Sequence, residues 1–100
     1  MRKKNTILGI CAVYLVDHAR AYLTLIAVRP DSQGLGVASF LLKEMESYLR
    51  DLNFCTVELE VYKTNSNALK LYSKFGYQTK AESEHSYYLI KYLNITSENA

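Results

Sequence analysis

Apolar and polar positions along this chain switch between two periods, and the switches divide it into strands and helices. Residues 6–16 are dense in β-branched and aromatic side chains, which suits a strand, and the run stops at the turn-forming stretch Asp17-His18-Ala19-Arg20. Residues 22–28 read as the returning strand of a hairpin, ended by Pro30, which has no N–H to give to a ladder. From residue 35 to 52 the period lengthens. Leu35, Ala38, Leu41, Leu42, Met45, Leu49 and Leu52 recur at helical spacing against Ser39, Lys43, Glu44, Glu46 and Arg50, which predicts a helix with one buried stripe. Cys55, Val57, Leu59 and Val61 then alternate with Thr56, Glu58, Glu60 and Tyr62, the period of a strand with one drier face.

Strands 22–28 and 55–62 are joined by that helix, the kind of crossover a parallel pair needs, and such crossovers are right-handed almost without exception. Asn65-Ser66-Asn67 is a helix-start signal, residues 68–75 supply about two turns, and Gly76 stops them. Two more strands are expected at 77–81 and 86–93, with a frayed tail over 94–100. No low-complexity linker or repeat interrupts this order, so the 100 residues predict a single domain with its core at about residues 7–93.

Composition changes this picture only by exclusion. Hydrophobic residues make up 49% of the chain, ample for a packed core, while 12 basic against 10 acidic residues give no pull towards nucleic acid or an anionic membrane. The longest apolar run, residues 10–16, falls far short of the roughly 20 residues that cross a bilayer. Arg2-Lys3-Lys4 reads as a solvated chain start, with no convincing small-residue cleavage site after it, and Asn94-Ile95-Thr96 as a chance match to a glycosylation acceptor. Cys11 and Cys55 have no metal-ligand spacing around them and are expected to be buried reduced thiols in a soluble, cytoplasmic protein.

The candidate chemistry lies between the second strand and the first helix, in Gln33-Gly34-Leu35-Gly36-Val37-Ala38. Glycines at 34 and 36 permit backbone conformations closed to other residues and let main-chain N–H groups approach a ligand. The first turn of the following helix adds unpaired N–H donors and the positive end of its dipole, which together favour a phosphate group. Gly34-x-Gly36 also fits the turn of a dinucleotide-binding unit. Ser39 stands at that motif's third glycine position, however, and the chain is too short for the paired units such a fold requires.

The same residues resemble the first signature, Q/R-x-x-G-x-G/A, of the GNAT superfamily of N-acetyltransferases, with Val28-x-Pro30 before it and Leu41-Leu42 after it at the usual places. Asn65, Ala68, Leu71, Tyr72, Gly76 and Tyr77 are similar to the second signature, and the two stand in order at the expected separation. The resemblance covers roughly residues 7 to 93. It implies an α/β fold of the GNAT-like acyl-CoA N-acyltransferase kind: a mostly antiparallel sheet with a central parallel strand pair and two main helices. The chain starts shortly before the strand that follows the family's N-terminal strand and helix pair, so the resemblance also implies a form truncated at that end. The missing part usually builds half of the acceptor pocket. Residues 10–16, apolar on both faces and without that cover, would expose a patch that favours association, so a dimer or an unstable monomer is expected.

The resemblance implies transfer of an acetyl group from acetyl-CoA to a primary amine, on a small molecule or a protein, by direct attack in a ternary complex and with no metal. Main-chain N–H groups of Gln33, Gly34, Leu35, Gly36, Val37 and Ala38 would hold the pyrophosphate. Ile26, Ala27 and Val28 would pair with the pantetheine arm as another strand does, and a backbone N–H near Val28 would polarise the thioester. Asn65 would reach the cofactor from the end of the parallel strand, and Tyr72 would be the general acid for the departing thiolate. The base that strips the ammonium has no fixed motif position. Glu58 and Glu60 share a strand face leading to the site, Glu58 is the residue named, and Glu82 and His85 are further candidates. The other class compatible with these residues is a coenzyme A binding module that has lost transfer activity.

Overall fold

The computed structural model describes residues 2–3 and 6–93, so the expectations for Lys4 and for the tail 94–100, with its glycosylation match, lie outside the described residues. Two short strands, β1 (Arg2–Lys3) and β2 (Thr6–Ile7), pair with each other. The expected strand over 6–16 is thus two strands, β2 and then β3 (Gly9–Leu15). At the break the main-chain N–H of Arg29 donates to the carbonyl of Leu8 at 2.8 Å. Glycine at position 9 answers a close approach: a Cβ there would stand 2.8 Å from the Ala27 carbonyl and 2.9 Å from Val37.

Strand β4 (Arg20–Val28) returns antiparallel to β3 through the turn at Asp17. The Asp17 carboxylate accepts from the main-chain N–H groups of Ala19 and Arg20 and from the Arg20 side chain, at 2.8 to 2.9 Å. These bonds favour the charged form and hold its pKa down to about 2, with the Ala19 hydrogen bond the largest cause. Helix α1 (Val37–Asp51) crosses over to β5 (Thr56–Tyr62), which runs parallel to β4. Helix α2 (Ser66–Lys74), β6 (Gln78–Glu82) and β7 (Ser86–Tyr92) complete a five-stranded sheet in the order β3-β4-β5-β7-β6. This is the expected mixed architecture, a mostly antiparallel sheet with one parallel pair and two main helices.

Alternation along the strands decides where the core forms. Val57, Leu59 and Val61 of β5 join Ala21 and Leu23, Leu42, Met45 and Leu49 of α1, and Tyr72 of α2 in one buried cluster. The opposite face of the sheet, carrying Glu60 and Tyr62 of β5 with Ile10, Tyr14 and Leu25, is exposed. Of the apolar run 10–16, Ile10 and Tyr14 lie on that face, and Leu15, although opposite the buried Ala21 in the ladder, and Val16 are exposed as well. Cys11 and Cys55, expected to be buried, are half-buried. Among the described residues no helix is long and apolar enough to cross a membrane.

The helical stripe needs two corrections. Leu35 is 71% exposed and lies outside α1, because Gly36 occupies the N-cap in a left-handed conformation and the helix begins only at Val37, which is buried in its place. Leu52, at the C-cap, is also exposed. In the other direction Glu46, expected on the polar face, is buried.

Candidate functional site

The β4–β5 pair is parallel for only three positions, Arg20 with Thr56, Ala21 with Val57 and Tyr22 with Glu58. Past Tyr22 the two strands share no further partners among the described residues, and a gap opens between them. A bulge explains where it opens. Ala12 pairs with Leu25 and Val13 with Leu23, which leaves Thr24 as an extra residue whose hydroxyl donates to the Ala12 carbonyl at 3.1 Å. A bulge bends its strand and adds twist, so the second half of β4 follows β3 and turns away from β5.

The backbone of β4 therefore offers hydrogen-bonding groups to the gap. Arg29 N–H points towards β3, where it meets Leu8, and successive N–H groups along a strand alternate in direction, so those of Val28 and Ile26 point into the gap. Ile26 and Val28 also line a groove of about 570 Å³, whose other walls are Ser32 to Gly34, Gly36 to Ser39, and Asn65, Asn67, Ala68, Leu71 and Tyr72. That volume falls in the range of small-molecule sites. Of the residues expected to touch a cofactor, Ile26, Val28, Gln33, Gly34, Gly36, Val37, Ala38, Asn65 and Tyr72 are brought together here, whereas Ala27 and Leu35 are not. Ala27 belongs to the ladder with β3, opposite Ile10, and the Leu35 side chain points to solvent.

The loop from Gln33 to Ala38 leads with left-handed glycines into an uncapped helix start. Gly34 and Gly36 have φ of 85° and 80°, the left-handed region, with nothing within 4 Å of where a Cβ would sit. Glycine is needed there for conformation, not for space. No side chain caps the N-terminus of α1 and no acidic residue stands in its first turn, so its free N–H groups and dipole face the groove without a competing carboxylate. A diphosphate fits this donor set. Gly36→Ala is expected to lower stability by about 1 to 2 kcal/mol through backbone strain alone and to weaken anion binding at the loop. Thermal unfolding and a ligand titration of the variant check both effects.

On the far wall Asn65 caps α2, its side-chain oxygen accepting from the N–H of Ala68 at 3.2 Å. Gly76, at φ 88°, ends the helix as expected. Tyr72 is 5% exposed and lines the groove, and its ring meets that of Tyr77 edge-on with centroids 5.5 Å apart. Burial, and then the nearby Cys11 thiol, push the Tyr72 phenol above its ordinary value, so it keeps its proton.

None of the expected carboxylates or His85 lines the groove. Glu82 is paired with Lys63 at 2.7 Å, and His85 is well exposed beside Glu84. Glu58 points to the sheet face opposite the core and is held by Lys80 at 2.7 Å. Glu60, on the same face one repeat further along β5, has no ion-pair or hydrogen-bond partner among the described residues. It lies opposite Tyr88 in the ladder and close to Tyr22, whose phenol is pushed above its ordinary pKa first by burial and then by Glu60, Tyr88 and Glu58. Sequence pattern could not separate the two glutamates, since both obey the same alternation; the distinction rests on the reach of Lys80.

Comparison with known proteins places this arrangement among acyl-transferring folds. The family model described as Acetyltransferase (GNAT) family matches residues 1–77. An uncharacterized N-acetyltransferase of Schizosaccharomyces pombe is 34% identical over 59 residues, covering 59% of this chain and 36% of that protein. The ribosomal-protein-S18-alanine N-acetyltransferase of Escherichia coli superposes with a TM-score of 0.87 at 22% identity, over 99% of this chain and 70% of that one. The PaiA N-acetyltransferase of Thermoplasma acidophilum, solved in complex with coenzyme A, superposes with a TM-score of 0.85 at 19% identity, over 91% and 57%. The chain spans well under half the length of the curated relatives it matches, 36% and 42%.

Proposed function

The chain belongs to the Acetyltransferase (GNAT) family, and from that premise we propose that it moves an acetyl group from acetyl-CoA to a primary amine by direct attack, with donor and acceptor bound together. The observation that carries the reading is the amide-lined loop at residues 33–38 opening into the gap between β4 and β5. The loop amides hold the diphosphate of the donor. The inward N–H groups of Ile26 and Val28 pair with its amide arm as a neighbouring strand would, and the Val28 N–H polarises the thioester carbonyl. Acetyl-CoA supplies the activated acyl group. A coenzyme A complex of a protein with the same fold supports this choice of donor.

Tyr72 offers its hydroxyl to the departing sulfur. The amine comes from the sheet face opposite the core, where Glu60, flanked by Tyr22 and Tyr88, accepts the proton of the incoming ammonium. Glu58 serves this role less well because Lys80 already neutralises it. Two variants separate them: Glu60→Gln is expected to lower kcat/KM for the amine about 100-fold, and Glu58→Gln less than about threefold. Following thiol release from acetyl-CoA across a panel of amines tests the proposal as a whole. Acetyl-CoA binding with no amine-dependent thiol release would reduce the chain to a coenzyme A binding module.

A further inference from the structure

The one buried acidic side chain among the described residues lies outside the groove, yet it is connected to it. Glu46 of α1 is 2% exposed, and its two oxygens are fully used: Oε2 accepts from the Tyr77 hydroxyl at 2.8 Å, Oε1 from Lys91 Nζ at 2.7 Å. Arg50 adds a contact at 3.5 Å, and the Lys91 ammonium sits 5.6 Å from the Phe75 ring centre and 5.7 Å from that of Tyr77. Helix α1, strand β7 and the turn after α2 thus converge on one carboxylate. Tyr77 in turn grips Tyr72 twice, by its main-chain N–H to the Tyr72 carbonyl at 2.9 Å and by the edge-on ring contact.

Stability alone is a poor reason for this cluster, because a buried ion pair can often be replaced by apolar residues of similar volume at no cost. Fixed geometry is a better one. Tyr72 is the only buried residue of α2, whose Ala68, Leu69 and Leu71 are only partly buried against the core, so the setting of this one ring depends on its own neighbours. We infer that the Glu46–Tyr77–Lys91 cluster is a positioning device, which fixes the ring of Tyr72 and so aims its hydroxyl into the groove. Glu46 and Tyr77 are then positioning residues for acetyl transfer, a role that rests on the reading of Tyr72 as the proton donor.

Tyr77→Phe keeps the ring and removes the hydroxyl. In the full chain it is expected to lower kcat about tenfold with the KM for acetyl-CoA within about twofold, since misplacing a reacting group costs rate and not binding. The double variant Tyr72→Phe/Tyr77→Phe is expected to be no slower than Tyr72→Phe alone. Should Tyr77→Phe fold poorly, the apolar triple Glu46→Leu/Tyr77→Phe/Lys91→Met retains packing and is expected to show the same loss of kcat. Parental kcat in a folded Tyr77→Phe or triple variant overturns the inference, as does a double variant about tenfold slower than Tyr72→Phe. Parental turnover of Tyr72→Phe would instead remove the reading beneath it.

Discussion

Substituting Tyr72 by phenylalanine is expected to lower turnover about 100-fold while acetyl-CoA binds as before. The variant removes one oxygen and keeps the ring that packs on Tyr77 and walls the groove, so the fold and the donor site survive. What is lost is the hydroxyl of the one buried α2 residue that lines the groove. The native phenol carries its proton at neutral pH, because burial lifts its pKa above the ordinary value near 10. Its proton is therefore held at every pH below about 10, and any alkaline loss of activity controlled by Tyr72 falls above that. Steady-state kinetics of thiol release, run as a pH series on both proteins, read the effect; an unchanged kcat would remove Tyr72 from the reaction.

Leu42→Ala is expected to cost about 3 kcal/mol, within the 2 to 5 usual for a large core side chain cut to alanine. Leu42 is 0% exposed and sits among Leu49, Val57 and Leu59, where the sheet and α1 meet, so the surroundings have little room to collapse onto the void. Against a total stability of roughly 5 to 15 kcal/mol this is a large share. Leu35→Ala removes the same atoms from the same apparent stripe, but from an exposed position, and is expected to change stability by less than about 0.5 kcal/mol. Guanidinium unfolding of the two variants makes the comparison; equal midpoints would contradict the placement of the core.

Most of the fold was legible because periodicity is a direct record of burial. The alternation of Val57, Leu59 and Val61 against Glu58, Glu60 and Tyr62 marked the dry face of β5, although Thr56, read as polar, is buried and Cys55, read as dry, is half-buried before the strand, and the helical crossover made β4 and β5 parallel. Asn65 and Gly76 marked the ends of α2 through capping and left-handed backbone, chemistry that those residue types carry locally. The loop at 33–38 was legible for the same reason. The failures are of another kind. Leu35 obeys the helical period but lies before a left-handed glycine that forbids the helix from starting there. Glu46 reads as polar and therefore exposed, and only Tyr77 and Lys91, at separations of 31 and 45 residues, make its burial tolerable. The bulge at Thr24 leaves no mark in Leu-Thr-Leu, since the register of β3 against β4 is set by pairing across the hairpin. Long-range partners are what one-dimensional pattern omits, and the choice between Glu58 and Glu60 depended on such a partner.

On the proposed function, main-chain amides of residues 33–38 hold the diphosphate of acetyl-CoA and aim its thioester between β4 and β5. The most direct measurement follows backbone amide resonances during a titration with acetyl-CoA. Saturating shifts concentrated at Gly34 to Ala38, with smaller ones at Ile26 and Val28, are the predicted result; saturable binding that leaves the 33–38 amides unmoved would contradict it.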